Sequence, residues 1–101
     1  MFGLQESDIL AIKHTLENHP EVKEAYIFGS RAKGNYRKGS DVDIALKGDN
    51  IPFADILTIA GYLNEDTIMP YHFDVLDYDA IQNQHLTEHI DRAGILFYKK
   101  H

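Results

Sequence analysis

The residue pattern of this chain predicts an α/β domain of the α+β kind, a single mixed β-sheet of about four strands with helices packed on one face. Three observations carry that expectation. Strand-like runs recur at 24–28, 41–47 and 71–77, helical apolar stripes precede the first and separate the second from the third, and a short apolar run at 94–98 follows the last helix. At 101 residues the chain is read as one domain, 1–101, with room for a modest core and none for a second domain.

The elements follow in order. Glu6 or Ser7 opens a helix whose Ile9, Ile12 and Leu16 share one face, and Pro20 marks its end. A strand over 24–28 is broken by Gly29, and 30–33 reads as a helical turn leading into a polar loop with Gly34, Asn35 and Gly39. The strand over 41–47 places Val42, Ile44 and Leu46 on one face and Asp41, Asp43 and Ala45 on the other. Asp49 or Asn50 then caps a helix with Pro52 in its first turn and a stripe of Phe53, Ile56, Leu57, Ala60 and Leu63. In the strand over 71–77, Phe73 and Val75 oppose His72, Asp74 and Leu76. A mostly helical segment over 79–91 precedes an edge strand over 94–98.

Composition narrows the function classes. Hydrophobic residues at 44% and charged residues at 26% suit a globular protein. No apolar run is long enough to span a bilayer and the first residues carry acids rather than a signal-peptide pattern, so a cytoplasmic protein without membrane contact is expected. Cysteine is absent, which leaves metal chemistry to oxygen and imidazole. The net charge of −6 argues against extended nucleic-acid binding. Yet four of the ten Lys and Arg residues (Arg31, Lys33, Arg37 and Lys38) lie within eight positions, a local patch suited to a small polyanion.

That patch lies between two motifs. Gly29 lacks a side chain that would block backbone approach, and a helical turn starting at Ser30 aims N–H groups and a hydroxyl at an anion. Asp41 and Asp43, at i and i+2 of one strand, project together and can share hard divalent ions, which in two-metal sites stand about 3.5 to 4 Å apart. Either motif alone is common. Joined at this spacing, they point to metal-assisted chemistry on a nucleoside triphosphate.

The segment GSRAKGNYRKGSDVDIAL resembles the signature of the DNA polymerase β-like nucleotidyltransferase superfamily, specifically its minimal nucleotidyltransferase branch, and FDVLD and LTEHIDRAGILFY are similar to that branch too. The resemblance implies a nucleotidyltransferase-like fold in which Gly29 and Ser30 contact the triphosphate and Asp41 and Asp43 bind metal. A third acid on a neighbouring strand completes the set. Asp74 matches it, on the polar face with His72, whereas the parity of Asp77 groups it with Phe73 and Val75. Arg31 and Lys33, nearest Ser30, are the candidates for further phosphate contacts. The catalytic and metal-binding set is thus Asp41, Asp43 and Asp74, with two Mg²⁺ ions and Mn²⁺ as the alternative.

The resemblance further implies an antitoxin subunit that moves AMP from ATP to an acceptor hydroxyl on a small all-helical HEPN protein. The chain has no residues left for the helical appendage of larger superfamily members, so that partner or a second copy is expected to finish the pocket. The alternative is a noncatalytic nucleotide-binding module that neutralises its partner by covering it. One motif is set aside: His85 to His89 fits the H-x-x-E-H pattern of a zinc protease, but too little chain follows to complete such a site, and the two imidazoles are expected to be solvated on a helix face.

Overall fold

The computed structural model describes residues 1–100. Helix α1 spans Glu6–Glu17, its first turn closed by the Gln5 N–H donating to the Asp8 carboxylate at 3.1 Å. Strand β1 (Val22–Phe28), the single turn α2 (Ser30–Lys33) and strand β2 (Val42–Gly48) follow. Helix α3 (Phe53–Gly61) runs on into a π-helical turn over Tyr62–Asp66. Strand β3 (Phe73–Asp77), a 3₁₀ turn over Tyr78–Ala80, helix α4 (Gln84–Ala93) and strand β4 (Ile95–Lys99) complete the chain.

The sheet order is β3-β2-β1-β4, with β1 antiparallel to both β2 and β4 and β2 parallel to β3. The expected mixed four-stranded sheet is therefore present, with β4 at one edge. Alternation divides the strands between two faces. Ala25, Ile27, Ile44, Leu46, Phe73 and Val75 join Ile12 and Leu16 of α1 and Ile56 and Ile59 of α3 in the main core. A register shift between Val22 and Glu24 returns Val22 to this same core, which simple alternation would deny it.

Two placements differ from expectation. Helices α1 and α3 share one face as predicted, but α4 packs on the other, where Ile90 forms a second cluster with Phe28 and Ala45, flanked by Tyr26, Leu76 and Leu86. The connection explains this helix's later start: Asp77 accepts from the Asp79 N–H to cap the 3₁₀ turn, and Asn83 then caps α4 by accepting from the N–H groups of His85 and Leu86. In α3 the buried residues are Ile56 and Ile59, joined by Leu63 of the π turn, whereas Phe53 is 73% and Leu57 57% exposed. That helix is apolar on nearly every side, so its periodicity does not select the face that packs.

Candidate active site

Phe28 and Asp43 are register partners on β1 and β2, and Asp43 and Asp74 are register partners on β2 and β3. The two carboxylates therefore project side by side from the same sheet face, next to the residue that precedes Gly29. Asp74 is exposed and Asp43 half-buried. Asp41 lies one residue before β2 rather than within it, and is exposed. The Val42 N–H donates to the His72 carbonyl at 2.9 Å, which ties the starts of β2 and β3 together and keeps Asp41 and His72 at the same end of the sheet.

Burial pushes the Asp43 carboxyl above its ordinary value of 3.8, and repulsion from Asp74 and then Asp41 adds to the rise, while His72 opposes it. All three acids thus act on one position. Among the described residues no three His, Asp or Glu side chains converge closely enough to form a metal cage as they stand. The donor chemistry nevertheless fits a hard divalent cation, because neighbouring carboxylates that repel one another present oxygen ligands whose charge a cation neutralises. The Asp77 carboxylate is engaged as the cap of the 3₁₀ turn.

Gly29 joins the acids to the turn. Its φ of 74° and ψ of −153° fall in a region that essentially only glycine occupies, and a Cβ placed there would run into the Asp43 carboxylate. The residue is thus required by the backbone and by the acid beside it. Its carbonyl accepts from the Lys33 N–H at 3.1 Å, which closes α2 and leaves the first N–H groups of the turn without intrahelical acceptors. Ser30 begins this turn, half-buried, and Lys33 ends it, exposed.

Arg31 is drawn into the fold. Instead of facing an anion it is 2% exposed, donating to the carbonyls of Ser40 (2.9 and 3.2 Å) and Phe2 (2.9 Å), with a longer contact to that of Lys38 at 3.5 Å. The guanidinium also stacks on Tyr36 and Tyr71 at 5.1 and 4.9 Å from their ring centres. A planar fork with five donors suits such a cage of carbonyls, and the result is a clamp that fastens the 34–40 loop to the body of the domain. Ser40 works in the same closure, its hydroxyl accepting from the Arg37 N–H at 2.8 Å.

Asn64 was not legible in the sequence. From the π turn its side chain accepts from the Phe73 N–H at 2.7 Å and donates to the Phe73 carbonyl at 2.9 Å, latching the residue before Asp74 along the outer edge of β3. A nine-residue separation with no motif gave no signal for this contact. His89 is the other departure: it is half-buried, its ring edge-on to that of Phe28 at 6.4 Å and 77°, whereas His85 is exposed.

A mixed sheet that sets paired acids beside a glycine-led turn defines a nucleotide-handling α+β domain. The chain belongs to the Polymerase beta, Nucleotidyltransferase family, whose model matches residues 11–101, and is a nucleotidyltransferase by that membership. No curated protein matches it. Among solved structures, a chain of a toxin-antitoxin complex with AMP-PNP is similar at 22% identity and a TM-score of 0.74, over 96% of this chain and 75% of that one. A chain in the complex of tri-AMPylated Shewanella oneidensis HEPN toxin with MNT antitoxin is similar at 19% identity and a TM-score of 0.72, over 96% and 74%. At these identities the likeness is one of fold. No helix among the described residues is long and apolar enough to cross a membrane.

Proposed function

We propose that this chain transfers AMP from ATP to a hydroxyl on a helical HEPN-type partner protein and so serves as the antitoxin of a pair, in the cytoplasm. The observation that carries the reading is the Asp43–Asp74 register pair beside Gly29, in a member of the nucleotidyltransferase family. Fold similarity to chains from a toxin-antitoxin complex with AMP-PNP and from an AMPylated HEPN toxin complex supports the donor and the partner.

In this reaction the acceptor oxygen bonds to the α-phosphorus, the bond from that phosphorus to the β-phosphate bridge breaks, and pyrophosphate leaves. Gly29 and Ser30 hold the triphosphate through backbone N–H groups and the serine hydroxyl, with Lys33 adding charge at the end of the turn. Asp74, exposed beside Asp43, takes the acceptor's proton. Asp41, Asp43 and Asp74 would hold divalent ions, Mg²⁺ or alternatively Mn²⁺, which when bound neutralise charge on the phosphates and on the attacking oxygen. Arg31 keeps the loop over the turn in place without touching nucleotide.

Mass spectrometry of a small all-helical HEPN-type protein, after incubation with ATP, Mg²⁺ and the chain, tests the proposal. One or more added AMP units, absent with Asp43→Asn, are expected. Neutralisation of the partner with no mass change, undiminished by Asp43→Asn, would instead establish a noncatalytic binding module.

A further inference from the structure

We infer that His89 of α4 contacts the nucleotide, its imidazole donating a hydrogen bond to the triphosphate held at Gly29 and Ser30. The inference rests on the nucleotidyl-transfer reading above and adds a residue from a second wall of the site.

The location follows from register and parity. Helix α4 covers the sheet face that carries the acids, resting Ile90 on Phe28 and Ala45 with Leu76 beside them. Ala45 lies two residues beyond Asp43 on β2, and Leu76 two beyond Asp74 on β3, so the covered stretch ends one same-face position from each carboxylate. Phe28 pairs with Asp43 across the strands and directly precedes Gly29. The side chain of α4 that stands edge-on to Phe28 is His89, so it lies against the residue that pairs with Asp43 and precedes Gly29.

The chemistry fits this position. A triphosphate is rich in acceptors, while the sheet side offers three carboxylates and the imidazole of His72, and Arg31 has been withdrawn into its cage of carbonyls. A neutral imidazole still offers one N–H donor, and contact with Phe28 orients its ring. His85, one turn earlier and exposed, serves as an internal comparison.

The test is calorimetric titration of the full chain with AMP-PNP and Mg²⁺, alongside thermal unfolding and steady-state transfer. Loss of one hydrogen bond to a charged group predicts roughly tenfold weaker nucleotide binding in His89→Ala and in His89→Leu, which fills the space against Phe28 but has no donor. His89→Gln, which keeps an N–H, should recover most of the affinity, and His85→Ala should stay within about twofold of wild type. The effect should appear mainly in the constant for ATP rather than in kcat. Wild-type affinity in His89→Leu, or lowered thermal stability in His89→Ala with affinity unchanged, would reduce His89 to a packing residue and overturn the inference while leaving the proposed function intact. If the wild-type chain binds no nucleotide in Mg²⁺, both fall together.

Discussion

The two faces of the sheet share the same strands and differ in what covers them. One is closed by α1 and α3 over Ile27, Ile44, Leu46 and Phe73, all at 2% exposure or less. The other carries Asp43 and Asp74, and α4 covers it over Tyr26, Phe28, Ala45 and Leu76. Because alternate residues of one strand serve both, β2 contributes Ile44 to the core and Asp43 to the site one residue apart. The closed face supplies stability through burial, at about 1.5–3 kcal/mol for each large aliphatic side chain, whereas the open face carries three acids whose mutual repulsion opposes it. Stability and chemistry should therefore separate under mutation.

The largest expected separation is at Asp43. Asp43→Asn should lower transfer by about a thousandfold or more, near 4 kcal/mol of barrier, while the metal-free protein melts at the same temperature or higher. Wild-type transfer rates in that variant would remove Asp43 from the chemistry and break the contrast at its centre. Arg31 sits where the site loop meets the body of the domain, and Arg31→Ala should cost about 3 kcal/mol in denaturant unfolding, because several backbone carbonyls lose their donor together. Unchanged stability with strongly weakened ATP binding would mean that Arg31 leaves its cage and meets the nucleotide.

On the closed face, Ile59→Val should cost about 1 kcal/mol of unfolding free energy and leave transfer unaltered once the protein is folded. A change in kcat would mean that the core face and the acid face are coupled. Titration sharpens the contrast from the other side. Since the Asp43 pKa is raised in the fold, its contribution to stability is full below the ordinary value of 3.8 and is lost as pH rises through the raised one. Metal-free wild type should therefore lose stability relative to Asp43→Asn across that window in pH-dependent melting, and parallel curves would show that Asp43 titrates normally. The smallest effect belongs to the outer side of α3, where Phe53→Ser and Leu57→Ser should each change stability by less than about 0.5 kcal/mol.

The sequence by itself determined the features that depend on neighbouring residues. Period-two alternation is local, so the opposition of Asp43 to Ile44 and of Asp74 to Val75 follows from the strand itself, as does the glycine that ends β1 and the turn that begins at Ser30. Parity also sets Asp74 and Asp77 on opposite faces of β3. Only the tertiary structure decided what meets across the chain. Alternation does not say which helix covers which face, so the position of α4, and with it that of His89, depended on how the chain returns after β3. Helix α3 is apolar on most sides, and its packed stripe was chosen by the sheet beneath it. A long guanidinium can reach an anion or a ring of carbonyls, and Arg31 took the carbonyls because the 34–40 loop folds back over it. Asn64 latches β3 across nine residues for the same physical reason: a side-chain partner distant in sequence leaves no periodic trace, and only the folded chain brings the two together.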